Sequence, residues 1–395
     1  MRRLVAACLP GIVFALAALL ILLPEGWPQA GTGDPLRIGV LAPLSGPFAS
    51  GGSAFLQAVT LAAEQANSEG GVLGRRVELL VADTQGRVDI ARSEAMRLVS
   101  REKAFALVGA YLSEETVGVI EVASAGKAVV IVPVAATAEI TDHVRREYDR
   151  YRYVFRVGYS IPQWAEMMAD FLGRQGYTRY AFVGAGIRWN RELSSELGKA
   201  LARRQVTLVY EAFYSSRNPA FESVAVAVAA VAPEVLVLGD PGGNAVEFVK
   251  RVREGGATFP ILSVGGTLGD ARIAATLPLS APLYVQAAAW KGASPAATRY
   301  AEAFEQRYGY APVGYSDTLP YDAAMILFQA IRAAGRTDSD AVVKTLEAGA
   351  FPGIAGTYRF DSSHQAKWGT RELHGNVILW EPGGARIVSP GTEKR

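Results

Sequence analysis

Short runs of aliphatic residues alternate with longer stretches of helical period along most of this chain, and that alternation limits its fold more than any other feature. Leu36 to Ala42 is apolar except for Arg37. Residues 54–67 then place Phe55, Leu56, Val59, Ala62, Ala63 and Ala66 on one helical stripe, which Gly70-Gly71 ends. Further strands are predicted at Val77–Val81, Ala104–Val108 and Ala128–Val132, separated by helices over 88–101 and 114–125. Continuous Val/Ile runs between helices are what strands buried on both faces of a parallel sheet look like. A second series begins near residue 160. Its helices fall at 162–175, 191–203, 220–231 and 243–254, and its strands at 179–183, 206–212, 235–238, 259–262 and 284–288. Helices at 295–307, 318–334 and 339–348 follow. Thr357–Phe360, Asn376–Glu381 and Ala385–Val388 read as strands returning to a sheet. The predicted class is α/β, with two series of parallel strands.

At 395 residues the chain exceeds what one hydrophobic core supports, so two lobes are expected. Half of it is apolar, which excludes intrinsic disorder. Forty Lys and Arg against 38 Asp and Glu leave a formal charge of +2, which gives no electrostatic footprint for nucleic acid. One cysteine excludes an internal disulfide framework, and three histidines without ligand-pair spacing offer no zinc site. No cofactor or metal is expected.

Residues 1–30 read as a secretory signal peptide: a basic Met1-Arg2-Arg3, an apolar run from Leu4 to Pro24, and a small-residue exit ending at Ala30. An uncleaved anchor is the competing reading, since about 20 apolar residues can span a bilayer. Cys8 sits in a Val5-Ala6-Ala7-Cys8 run resembling a lipoprotein box, but ahead of the apolar run, so it is expected to leave with the signal.

Hydrolase signals are missing: there is no Gly-x-Ser-x-Gly elbow and no His-Glu-x-x-His, and no Gly-x-x-x-x-Gly-Lys-Ser/Thr phosphate loop occurs. Gly184-Ala185-Gly186 is an incomplete dinucleotide fingerprint, with Trp189 at its third glycine position. Three loops at the carboxyl ends of first-lobe strands attract more attention. The first is Leu44-Ser45-Gly46-Pro47 with Gly51-Gly52-Ser53, glycine-rich enough for backbone to approach a ligand. The second is Gly109-Ala110-Tyr111-Leu112-Ser113, where Ser113 is expected to cap the helix that begins at Glu114. The third is Val134-Ala135-Ala136-Thr137, whose small residues leave N–H groups open beside a hydroxyl. Ends of parallel strands line ligand crevices, and three such loops together suggest one anion site. Asp83 and Asp240 also fall at predicted strand ends and leave an enzyme reading open.

These residues also carry a family resemblance. Ile38-Gly39-Val40, Leu44-Ser45-Gly46-Pro47, Ala66-Asn67 and Glu69-Gly70-Gly71-Val72-Leu73-Gly74 resemble the Leu/Ile/Val-binding protein family, the type I periplasmic solute-binding proteins of ABC transporters. Val108-Gly109, Ser113, Thr116, Pro133, Ala135-Ala136-Thr137, Thr141 and Tyr321-Asp322-Ala323 continue the pattern. The resemblance implies two Rossmann-like lobes joined by three hinge crossovers. The first lobe would comprise 35–157 and 288–352, and the second 158–287 and 353–390. It implies a periplasmic, monomeric, non-catalytic protein that delivers a small solute to an inner-membrane ABC permease. A ligand sensor of the same fold, with an amide or urea-type ligand, is the alternative.

By the same resemblance, Ser113, Ala135 and Thr137 would hold a ligand carboxylate, with Tyr111 and Ser45 on neighbouring loops. Trp189, or Tyr159 from the crossover, would cover the ligand. The ammonium partner of amino-acid binders is missing from the Ser263–Gly269 loop that contains Gly265, where no acid precedes Asp270. Asp240 could substitute. Otherwise the solute lacks an ammonium group, and Tyr111, Tyr159, Trp189 and Trp290 would face an aromatic or aliphatic acid.

Overall fold

The structure, a computed structural model, describes residues 33–389 apart from Asn218. The expected signal segment, with Cys8, lies outside the described residues. Among the described residues no helix is long and apolar enough to cross a membrane.

The first lobe opens with β1 (Leu36–Ala42), α1 (Ala49–Ser68), β2 (Val77–Asp83), α2 (Val88–Met96), β3 (Ala106–Val108), α3 (Ser113–Ala125) and β4 (Val129–Val132). Two short helices, α4 (Glu139–Arg146) and α5 (Tyr148–Tyr151), lead to β5 (Val154–Arg156). These strands form one parallel sheet in the order β2-β1-β3-β4-β5. Every residue of β3, β4 and β5 is buried, as expected of aliphatic strands covered by helices on both faces. The glycine-rich turn after α1 has a physical reason. Gly71 adopts φ of +82°, and a Cβ there would lie 2.1 Å from the Arg75 carbonyl. Asn67 fastens the turn, accepting from Val77 N–H at 2.7 Å and donating to Val77 O at 3.0 Å.

The second lobe contains α6 (Ile161–Arg174), β6 (Arg179–Ala185), α7 (Arg188–Ala202), β7 (Thr207–Tyr214), α8 (Phe221–Ala230), β8 (Val235–Gly239), α9 (Asn244–Glu254), β9 (Ile261–Val264), the single-turn α10 (Ala271–Ala274) and β10 (Leu283–Ala287). Then come α11 (Pro295–Tyr308), α12 (Thr318–Ala334), α13 (Ser339–Ala348) and a two-stranded ribbon, β11 (Phe351–Pro352) with β12 (Thr357–Tyr358). The last strands, β13 (Asn376–Glu381) and β14 (Gly384–Ser389), join the second sheet, whose order is β14-β13-β10-β9-β8-β6-β7. β13 runs antiparallel to both β10 and β14. The late helices lie on the first lobe: α12 packs against α1, and Tyr308 Oη of α11 donates to Gln57 O at 2.8 Å. The chain thus passes between the lobes after β5, after β10 and before β13.

Periodicity identified most elements, but the strand expected to return to a sheet at Thr357–Phe360 does not do so: it is β12, paired only with β11, and Tyr358 Oη holds it to α12 by donating to Asp322 at 2.7 Å. Residues 139–156 carry three elements that the sequence pattern did not predict. α4 is short and highly polar, and β5 is three residues within a Tyr/Arg-rich run. The strand predicted from Phe259 starts instead at Ile261, because Arg253 Nη1 takes the Phe259 carbonyl at 2.8 Å and the Ala257 carbonyl at 2.9 Å.

Candidate functional site

The strand ends of both sheets face one another across a small cavity. Tyr111, Leu112, Ser113, Val134, Ala135 and Ala136 line it from the first lobe. Trp164, Trp189, Pro241 and Gly265 line it from the second, and Tyr315 from the loop between α11 and α12. Its volume is about 20 Å³, little more than a water molecule needs. An organic solute therefore enters only with the lobes parted or the rings turned.

The walls are aromatic. Trp189 stacks on Trp164 with ring centroids 5.5 Å apart and planes 5° apart, and Trp164 stacks on Tyr315 at 5.1 Å. Tyr111 approaches from the other side, its hydroxyl 3.1 Å from Ser316 Oγ, and burial pushes its phenol up to about 12. The Tyr315 hydroxyl donates to Val134 O at 3.1 Å, which ties the α11–α12 loop to the third loop.

Ser113 does not cap its own helix. α3 begins at Ser113 itself, with Leu112 in extended conformation as its N-cap, and Glu115 takes the Leu112 N–H at 3.0 Å. The Ser113 hydroxyl turns to the neighbouring loop and accepts from Ala136 N–H and Thr137 N–H, each at 3.3 Å. A hydroxyl has two acceptor sites and one proton. With both acceptor sites used, Ser113 is left as a donor, and among the described residues it donates to none. It is 1% exposed and lines the cavity.

The structure brings Tyr111, Ser113, Ala135, Trp189 and Gly265 together. Ser45, Asp83, Tyr159, Asp240, Thr137 and Trp290 do not line the cavity. Ser45 is exposed, and its hydroxyl donates to Asp83 Oδ2 at 2.7 Å. Asp83 also accepts from the Leu44, Ser45 and Gln85 N–H groups; burial raises its carboxyl, but the Ser45 hydroxyl first and these N–H groups after it bring it below its ordinary value. It organises the first loop. Tyr159 is buried one layer behind, stacked on Tyr315 at 6.1 Å and packed against Trp368. Asp240 lies next to Pro241 but points away: its oxygens accept from Tyr214 Oη at 2.5 Å and Gly242 N–H at 2.6 Å. Burial raises its carboxyl to about 6 against these bonds.

Thr137 faces a second, wider groove of about 660 Å³ at the edge of the lobes. Its hydroxyl donates to Glu192 Oε2 of α7 at 2.8 Å, across the interlobe seam. Arg188 of α7 extends the seam, pairing with Glu139 of α4 at 2.5 Å, while its own N–H donates to Glu114 of α3 at 3.0 Å. Trp290 lies elsewhere, edge-to-face with Trp380 in a separate cavity of about 210 Å³.

Sequence reasoning missed Trp164 and Tyr315. Trp164 belongs to the buried stripe of α6 and has the period of a core residue. Tyr315 has no period at all; its one signal is Gly314 before it, at φ of +85°.

The chain belongs to the periplasmic binding protein family, whose sequence profile matches residues 35–370. The expected kinship with Leu/Ile/Val-binding proteins is borne out. An amino acid binding protein of Pseudomonas aeruginosa is 24% identical over 84% of this chain and 87% of its own length. Leu/Ile/Val-binding protein homolog 7 of Brucella abortus is 24% identical, covering 79% of this chain and 81% of its own. The fold matches a leucine-binding protein from Thermotoga maritima with a TM-score of 0.78, at 21% identity over 90% of this chain and 98% of that one. It also matches a Rhodopseudomonas palustris ABC transporter solute-binding protein in complex with benzoate, with a TM-score of 0.79 at 20% identity over 90% and 96%.

Proposed function

We propose that this protein captures a small carboxylate-bearing solute, an aromatic or aliphatic acid, between its lobes and presents it to an inner-membrane ABC permease in the periplasm. It binds and releases the solute unchanged. The observation that carries the reading is the buried Ser113 hydroxyl, left with only a proton to give, in a cavity walled by Trp164, Trp189, Tyr315 and Tyr111. A carboxylate answers such a donor, and a flat or branched apolar group answers the rings.

The choice of an acid without an ammonium group rests on the nearby carboxylates. Asp240 is satisfied by Tyr214 and Gly242, and Asp270 caps α10 and pairs with Arg272 at 2.5 Å. A buried ammonium left without a partner is costly. The first-lobe elements with α11, α12, α13 and the β11–β12 ribbon, and the second-lobe elements with β13 and β14, would move as two bodies, the solute favouring the closed arrangement.

A thermal-shift screen tests this with benzoate, isovalerate and acetate against their amides, leucine and urea. Acids should raise the melting temperature and leucine should not, since binding stabilises by mass action. A shift with leucine alone would refute the choice of acid.

A further inference from the structure

Arg156 is the largest fully buried charged side chain among the described residues and stands immediately behind the third loop. It is 0% exposed, at the end of β5 where the chain leaves the first lobe. Its guanidinium donates from Nη1 to Thr137 O at 2.5 Å, from Nε to Gln365 Oε1 at 2.5 Å and from Nη2 to Thr141 Oγ1 at 3.2 Å. All three acceptors are neutral.

Among the described residues no carboxylate pairs with it, and the acids in its neighbourhood are engaged elsewhere. Glu192 pairs with Arg188 at 2.7 Å, Asp142 pairs with Arg145 at 2.6 Å, and Asp361 accepts from Ser363 N–H and Gln365 N–H. Burial lowers the guanidinium to about 9, so it still carries its charge at neutral pH. A buried charge without a counter-charge is expensive to keep, and replacing it with an apolar group is often favourable. Its surroundings indicate what offsets it. Arg156 holds the carbonyl of Thr137, and Ala135 and Ala136 of the same loop line the cavity. Tyr315, which also lines the cavity, is held to the same loop by its bond to Val134 O at 3.1 Å.

We infer that Arg156 sets the charge preference of the site: from behind the Ala135–Thr137 loop it favours an anion in the cavity over the neutral molecule of the same shape, without touching either. It is a positioning and charge-setting residue. The inference rests on the reading that the cavity takes a carboxylate-bearing solute, and it excludes amides and urea as preferred ligands.

The test compares acid and amide pairs (acetate with acetamide, isovalerate with isovaleramide, benzoate with benzamide) by thermal shift and calorimetry on the full chain. Thr141→Asp puts a carboxylate beside the guanidinium while keeping Arg156 and its packing; Thr141→Asn is its neutral control. Thr141→Asp should lower the acid-to-amide affinity ratio about tenfold, the effect of neutralising one interaction between charges in a partly desolvated site. Thr141→Asn should leave the ratio unchanged. Arg156→Gln should match Thr141→Asp, and Arg156→Lys should keep part of the preference. A folded Thr141→Asp protein that retains the parent ratio overturns the role of Arg156 and leaves the carboxylate reading standing. A parent protein that prefers amides, or responds to neither member of any pair, overturns the carboxylate reading and this inference with it.

Discussion

Ser113 and Gly265 show how much of the site rests on single residues. Replacing Ser113 with alanine removes the hydroxyl that faces the cavity and leaves the Ala136 and Thr137 N–H groups without their acceptor. Affinity for the acid identified by the screen should fall by about 1.5–3 kcal/mol, the worth of a hydrogen bond to a charged group, as read by calorimetry. Unchanged affinity would remove Ser113 from the site. Gly265 lines the cavity for a different reason. Its φ is +106°, and a Cβ would sit 3.0 Å from Pro241 Cα and 3.2 Å from the Asp240 carbonyl carbon. Gly265→Ala should therefore cost about 1–3 kcal/mol in stability, seen as a lower unfolding midpoint in urea. A midpoint equal to that of the parent would mean that the loop has room to give.

Elements, rather than single residues, join the two halves, and α7 does most of this across the cavity edge. Its first turns place Trp189 in the cavity wall, while Arg188 and Glu192 reach the first lobe at Glu139, Glu114 and Thr137. The Arg188 and Glu139 side chains are 43% and 35% exposed, so each ion pair is worth about 1 kcal/mol at most. Arg188→Ala should weaken acid binding less than tenfold, act mainly on the dissociation rate in stopped-flow traces, and lose its effect in high salt. An equal effect on association and dissociation would point away from a closing seam. The same elements show what can be read in a sequence. The strand and helix series follows from hydrophobic period, and the cavity loops are betrayed by small residues at strand ends. The direction of a side chain is not encoded that way. Ser113 has the composition of a cap, yet the helix starts one residue earlier than expected and turns its hydroxyl outward. Arg156 and Tyr315 sit in segments with no period, and only packing between distant parts of the chain brings them behind and into the cavity.

For the whole molecule, the consequence of this architecture is a set of buried acids that are costly to ionise. Burial raises Glu115 to about 7 and Asp240, Asp317 and Asp322 to about 6. A carboxyl whose native value lies above its unfolded one contributes stability that is complete below the unfolded value and is lost as pH rises through the native value. These four groups therefore make the folded protein less stable between about pH 4 and pH 7 as pH increases. His364 works in the other direction: burial lowers it, so acidification below its ordinary value of 6.5 costs stability. The upper part of the range, from pH 6 to 8, belongs mainly to Glu115, whose native value is about 7. Glu115→Gln keeps an oxygen for the Leu112 N–H and removes the charge. The variant should melt higher than the parent at pH 8, by about 1 °C for each kcal/mol recovered. The difference should vanish near pH 5, where the parent residue is itself neutral. Melting curves of both proteins at the two pH values decide it: a difference of the same size at both would mean that the substitution acts through packing or hydrogen bonding and not through the titration of Glu115.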